Sequence, residues 1–215
     1  IAKKVFQAFP GAFPTADVVG NPVREDVVAL TEPEQRMAER DGDIRILVMG
    51  GSQGAKILND TLPVTMAQLG EGFTVMHQAG KNNQQQVIEQ YKSHSVDNVQ
   101  VTEFIDDVAQ AYEWADLLVC RSGALTVSEV SAAGVGSIFV PFMHKDRQQA
   151  LNADHLVECG AALMIEQPQL TADKLANTIA QLDRNELKMM ATKARQAAKL
   201  DADVTVAEAI KALAK

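Results

Sequence analysis

The chain lacks several features that would place it in a large class of partners. Its 215 residues carry only 20 Lys and Arg against 28 Asp and Glu, a formal net charge of −8. Polyanions are held mainly by clustered cations that release counterions, so this balance argues against nucleic acid as a partner, while leaving room for a small anionic ligand. No apolar run approaches the ~20 residues of a membrane-spanning helix, and the start has no charged-then-apolar layout of a signal peptide. Cysteine is scarce. Cys120 and Cys159 stand in apolar contexts (LLVCRSG and LVECGAAL) without a CxxC partner, so both are expected as buried thiols in a reducing compartment. No second His, Cys or carboxylate stands at ligand spacing from His144, and no metal is assigned.

What remains is an ordinary globular composition, 47% hydrophobic and 22% charged, long enough for a substantial core. From Ile44 onward, short β-branched apolar runs alternate with longer amphipathic stretches, the pattern of a Rossmann-like parallel sheet with helices on both faces. Strands are expected at Ile44–Met49, Phe73–His77, Val99–Thr102, Leu117–Cys120, Ser137–Val140 and Ala162–Ile165. Helices are expected at Ala55–Leu69, Asn83–Ser93, Asp107–Trp114, Leu125–Ala133 and Arg147–Glu158. Residues 44–170 form this core, and 171–215 read as a helical tail with breaks near Asp183–Arg184 and Asp201–Asp203.

Residues 1–43 read as a leading segment: a helical IAKKVFQAF, a short strand Asp17–Val19, the turn GNPVR, and a capping box Thr31–Glu34 opening a helix to about Glu39. The start at Ile1 instead of Met suggests a piece of a longer protein. No repeat or long linker interrupts the chain, which reads as one domain.

Three strand-to-helix junctions carry the candidate chemistry. The first is Gly50, Gly51, Ser52, Gln53 and Gly54, followed by AKILND. Glycines there permit tight turns and close ligand approach, and the helix start offers free N–H groups to an anion. The same pattern also serves as a plain structural turn. A dinucleotide site would show GxGxxG and an acid at the end of the second strand, but this strand ends His77, Gln78, Ala79. A Walker A loop would need GK[ST], which is absent.

The second junction is LLVCRSGALTVSEV, residues 117–130. Gly123 turns the chain and Ala124, Leu125 and Thr126 open a helix over the carboxyl edge of the sheet. Glu129 follows one turn later and can accept from two vicinal hydroxyls of a ribose, or simply favour the helix dipole. The third is VPFMHKDRQQALNA, residues 140–153, where His144, Lys145, Asp146, Arg147, Gln148 and Gln149 gather at a strand end. Such a cluster suits either a polar-ligand crevice or a solvated loop.

Together GNPVR (20–24), GGSQGA (50–55), VTEFIDD (101–107), CRSGALTVSE (120–129) and PFMHKDRQQ (141–149) resemble the MurG family of bacterial N-acetylglucosaminyltransferases, in order and with matching spacing over nearly the whole chain. The resemblance implies two Rossmann-like domains in the GT-B arrangement, of which this chain is the C-terminal, UDP-N-acetylglucosamine (UDP-GlcNAc) binding one. It implies that Arg24 and Ser52, with Gly51 beside it, meet the diphosphate, and that the Ile105 backbone brackets the uracil. Gly123 and the run Ala124, Leu125, Thr126, Val127, Ser128 would present the helix start to the phosphates, Glu129 would hold the ribose, and Gln149 with Gln148 would contact the sugar.

The family reaction is an inverting transfer of GlcNAc to the C4 hydroxyl of MurNAc in lipid I, giving lipid II for peptidoglycan synthesis. By the same resemblance no metal or cofactor assists donor binding. The lipid I acceptor and the general base belong to the absent N-terminal domain, and the full protein is peripheral to the cytoplasmic side of the inner membrane. The fragment is then soluble, binds donor and does not transfer sugar, and its last helix, near Asp203–Lys215, reaches toward the absent domain. Two other readings stay in view: another sugar-nucleotide enzyme such as a UDP-GlcNAc 2-epimerase, and a non-catalytic nucleotide-binding Rossmann module.

Overall fold

The leading segment opens with two short strands, β1 (Phe6–Gln7) and β2 (Asp17–Val18), paired in parallel. The structure, a computed structural model, describes residues 2–214. Ile1 and Lys215, where the expected leading helix starts and the tail ends, lie outside the described residues. Where helical spacing predicts IAKKVFQAF to be helical, Phe6 and Gln7 are strand. Gln7 decides this: its amide donates to the Phe13 and Ala16 carbonyls and its side-chain oxygen accepts from Phe13 N–H, folding the segment back on itself. Long-range pairing outweighs the weak local propensity of a short helix.

Two four-residue helices follow, α1 (Glu25–Val28) and α2 (Pro33–Arg36). The expected Thr31–Glu34 capping box does not form, and the helix ends at Arg36, short of Glu39. Glu32 is the N-cap, since Pro33 takes the first helical position where its fixed φ suits it and its missing N–H costs nothing. Hydrogen bonding to its own backbone N–H, and secondarily to Thr192, holds the Glu34 carboxyl pKa below the usual range.

The main sheet is built from β3 (Ile44–Met49), then α3 (Lys56–Leu69), β4 (Phe73–Gln78), α4 (Gln84–Ser93), β5 (Val99–Thr102), α5 (Val108–Trp114), β6 (Leu117–Cys120), α6 (Ala124–Ala133), β7 (Gly136–Phe139), α7 (Gln148–Glu158) and β8 (Ala162–Met164). All expected strands and helices of the core are present, with ends shifted by a residue. The six strands are parallel in the order β5-β4-β3-β6-β7-β8. Chain order reverses between β3 and β6, the switch point beside which open α/β sheets bind ligands.

Alternation along each strand feeds two cores. Ile46, Val48, Leu117, Val119, Ile138 and Val140 pack on one face with α3, and Leu47, Leu118, Cys120 and Phe139 pack on the other with α5, α6 and α7. Strands covered on both faces must be apolar throughout, and β6 and β7 are buried at every position. Cys120 lies in this core. Cys159 corrects its expectation: it is exposed, because it follows the last residue of α7, where its thiol donates to the Leu156 carbonyl.

The tail forms α8 (Ala172–Ala180), α9 (Arg184–Ala197) and α10 (Ala202–Leu213), with breaks at the two expected places. Asp183 caps α9 in a complete capping box with Glu186. α8 lies along α3, while α9 lies against α6 and β7. In α10 only Ala202 and Ala209 are buried, and Val204, Ile210 and Leu213 face outward.

The amino rim of the sheet is held by arginines. Asp116, fully buried ahead of β6, receives Arg40 at 2.7 Å, Arg184 at 2.9 Å and the Arg45 N–H at 3.0 Å. Arg36 donates to the Ala133 and Gly134 carbonyls and Arg195 to that of Ala132, satisfying the carboxyl end of α6. Burial lowers the Arg36 pKa to about 10, which leaves it charged at neutral pH.

Candidate functional site

At the carboxyl rim, β3 runs into Gly50 and β6 into Arg121, on the two sides of the switch point. Both following helices start without a side-chain cap: α3 behind Ala55 and α6 behind Gly123. Their first N–H groups are therefore available to an external acceptor, with the positive ends of two helix dipoles behind them.

The glycines of the first loop answer a packing demand. Gly54 and Gly80 both hold positive φ, and the two loops that follow β3 and β4 touch through them. A Cβ on Gly54 would lie 2.0 Å from the Ala79 carbonyl oxygen, and one on Gly80 would lie 2.1 Å from Gly54 nitrogen. Behind this contact, Asn59 donates to the Ala79 carbonyl and meets His77 Nε2 at 3.1 Å, while His77 Nδ1 meets the Tyr91 hydroxyl at 2.9 Å. Burial drives His77 down to a pKa of about 3, so this chain of side chains is neutral. In front, Gln78 grips Gly51: its Oε1 accepts from Gly51 N–H at 3.2 Å and its Nε2 donates to Gly51 C=O at 2.9 Å.

Across the switch point, Glu129 reaches Arg24. The Arg24 Nη2 lies 3.2 Å from Glu129 Oε1, and the Tyr112 hydroxyl donates to Oε2 at 3.2 Å. Tyr112 is fully buried, and desolvation raises its pKa far above the ordinary value, so it stays a donor. Asn21, of the same GNPVR turn, donates to Ser128 Oγ at 3.1 Å and fixes that turn on α6. The leading segment is fastened again by Phe9, whose ring stacks on His155 at 5.0 Å.

Of the candidate run on α6, Leu125 is exposed, Ala124, Thr126 and Glu129 are half-buried, and Val127 and Ser128 are buried. The side chain of Val127 belongs to the core. Gly51 and Ser52 are exposed on the first loop. Ile105 is half-buried against the second core, in the segment leading to α5, which Asp107 caps by accepting from Gln110 N–H.

Gln149 lines a cavity of about 520 Å³ with Gly50, Ala55, Arg121 and Phe142. Its Oε1 accepts from Phe142 N–H at 2.9 Å, and its Nε2 makes no hydrogen bond to the described residues. Gln148 and His144 to Arg147 are exposed. The Asp146 carboxylate accepts from Gln148 N–H and pairs with His144, and these bonds, the first above all, lower its pKa. Arg147 adopts a left-handed φ of 52° ahead of α7, a strained conformation for a non-glycine residue. The polar cluster thus divides, with Gln149 on the cavity and the rest largely in solvent.

Arg121 is a site residue not singled out from the sequence. Its guanidinium donates to the Val140 and Pro141 carbonyls and lies 5.5 Å from the centre of the Phe142 ring. Gln78 and Tyr112 were likewise not singled out. The signal for Gln78 was its place as the last residue of the second strand, whereas nothing local marks Tyr112. A larger cavity, about 720 Å³, opens at the opposite rim between α2 and α5. Two of its arginines, Arg36 and Arg40, are spent on carbonyls and Asp116. Among the described residues, no group of three or more His, Cys, Asp or Glu side chains is placed to hold a metal ion.

The C-terminal domain of glycosyltransferase family 28 matches residues 45–210. All 215 residues are 98% identical to part of a protein of Vibrio atlanticus named UDP-N-acetylglucosamine--N-acetylmuramyl-(pentapeptide) pyrophosphoryl-undecaprenol N-acetylglucosamine transferase, of which the chain covers 61%. A protein of the same name from Vibrio parahaemolyticus is 74% identical over 213 residues, with 60% of it covered. Among solved structures, MurG of Acinetobacter baumannii superposes with a TM-score of 0.91 at 37% identity, over 98% of this chain and 60% of that one. The chain therefore spans about three fifths of the length of these relatives, and it belongs to glycosyltransferase family 28, whose C-terminal domain it carries.

Proposed function

We propose that this chain is the donor-binding half of an inverting glycosyltransferase of GT-B architecture. In the whole protein, GlcNAc passes from UDP-GlcNAc to the C4 hydroxyl of MurNAc in lipid I, giving lipid II for peptidoglycan. The observation that carries the reading is that two uncapped helix starts follow the neighbouring strands β3 and β6 at the switch point of the sheet, with Glu129 of the second helix paired to Arg24.

Each part has a chemical task. The diphosphate of the donor rests on the N–H groups opening α6 and on the Gly51–Ser52 loop, with Arg24 as countercharge. Glu129, steadied by Tyr112, accepts from the ribose hydroxyls, the backbone at Ile105 borders the uracil, and Gln149 offers its Nε2 to the sugar. When the acceptor hydroxyl attacks the anomeric carbon, the bond to the diphosphate oxygen breaks and negative charge grows on the leaving UDP. N–H groups and a guanidinium already pointing at that charge stabilise it without reorganising, and no metal is invoked.

The general base, the lipid acceptor site and the membrane-contacting surface belong to the rest of the protein, which works at the cytoplasmic side of the inner membrane. No helix among the described residues is long and apolar enough to cross a membrane. Titration of UDP-GlcNAc into the chain, followed by calorimetry and amide NMR, tests the reading. Perturbation at Ser52 and Glu129 that a chelator leaves unchanged is expected. No perturbation at millimolar donor overturns it.

A further inference from the structure

The position of Gln78 bears on how the donor loop is held. In a dinucleotide site the end of the second strand carries an acid that binds a ribose. Here Gln78 closes β4 and is 5% exposed, with all of its polar atoms engaged. Its Oε1 accepts from Gly51 N–H, and its Nε2 donates to the carbonyls of Gly51, at 2.9 Å, and Glu103, at 3.3 Å. Only this orientation of the carboxamide satisfies all three bonds, since the reversed one would set oxygen against two carbonyls. Gly51 has a φ of +82° and no neighbour within 4 Å of where a Cβ would stand. Within the loop Gly51 C=O also accepts from Gly54 N–H at 2.8 Å, and Ser52 C=O from Lys81 N–H at 3.3 Å; Gln78 adds a second donor to Gly51 C=O and supplies the acceptor for Gly51 N–H.

We propose that Gln78 is the positioning residue of the diphosphate loop: it sets the peptide planes on either side of Gly51, and thereby Ser52, and keeps the strand end from offering a carboxylate to a second ribose. This rests on the donor reading above for its ligand, but the clamp on Gly51 exists without one. The carboxamide must both accept and donate. A thioether of similar size does neither, and an ionised carboxylate can accept but faces two carbonyl oxygens with no proton. A protonated carboxyl restores the pattern, its C=O accepting from Gly51 N–H and its O–H donating to Gly51 C=O.

Gln78→Met and Gln78→Glu in the full chain test this by three readouts: the Gly51 amide resonance and exchange rate without ligand, the UDP dissociation constant, and the melting temperature. In Gln78→Met the Gly51 amide shifts and exchanges faster, and UDP binds about tenfold more weakly, the worth of roughly one hydrogen bond lost from the loop. Gln78→Glu is as weak relative to the parent at pH 8 and recovers most of the parent's affinity at pH 5, the comparison being made at each pH because the terminal phosphate of UDP titrates in the same range. An unmoved Gly51 amide with UDP affinity within twofold of the parent overturns the proposal, as does Gln78→Glu with no recovery in acid. If Gln78→Met fails to fold, the pH response of Gln78→Glu decides alone. If the parent chain binds no UDP, the donor reading fails, and the Gly51 amide still judges the clamp.

Discussion

Arg24 and Glu129 face each other at 3.2 Å across the mouth of the crevice, the arginine half exposed and the carboxylate about one fifth exposed. Each is assigned to a different part of the donor, so the pair holds both side chains near their working positions before ligand arrives. An ion pair this accessible contributes at most about 1 kcal/mol to folding. Replacing Glu129 with Gln, whose side-chain oxygen still accepts from the buried Tyr112 hydroxyl, is expected to weaken UDP binding about tenfold, from lost charge-assisted hydrogen bonds, while the melting temperature moves little. Calorimetry beside a thermal melt separates the two, and a large fall in melting temperature with unchanged affinity would assign Glu129 to the fold alone.

The contact between Gly54 and the Ala79 carbonyl leaves no space for a methyl group, and the positive φ adds strain to any replacement. Gly54→Ala should therefore cost roughly 1–3 kcal/mol locally and displace the first loop, so UDP affinity falls together with stability. Denaturant titration and UDP binding on the same variant check both.

Asp116 predicts the opposite pairing of effects. Asp116→Asn leaves Arg40 and Arg184 without their shared countercharge in a buried setting, a loss of about 3–5 kcal/mol. Because these residues sit at the amino rim, the folded fraction should bind UDP as the parent chain does. The urea midpoint reports the first expectation and binding at low temperature the second.

His77 imposes a pH dependence of known sign. Its pKa is about 3 in the fold against the ordinary 6.5, so between those values the unfolded chain takes up a proton that the native chain does not. Stability falls as pH drops below 6.5, by up to about 1.4 kcal/mol per unit, and this group adds no slope above neutrality. His77→Gln should reduce the loss between pH 7 and pH 5 by about 2 kcal/mol, measured by urea unfolding at the two values. An unchanged loss would show that His77 is accessible to protons in the folded state.

Much of this architecture was legible where one physical rule acts alone. Runs such as ILVM and LLVC must be strands covered on both faces, and the glycine turns after them place the crevice. Legibility ended where partners are distant in sequence. Phe6–Gln7 pairs with Asp17–Val18, Glu34 turns to Thr192, and Cys159 follows the end of a helix despite its apolar neighbours. The same limit holds at the site. Glu129 and Gln149 are visible beside their motifs, but the grip of Gln78 on Gly51 and the support of Tyr112 for Glu129 exist only once the strands are aligned.

The unequal fastening of α6 has its own consequence. Arg36 and Arg195 root its carboxyl end among main-chain oxygens, and its amino end carries no cap. The helix is about 15 Å long, and the tip where the nucleotide would land is the end whose first N–H groups have no side-chain cap. Docking would then damp the tip most and the root least, so the first turn of α6 should be the stretch whose amide protection responds most to nucleotide.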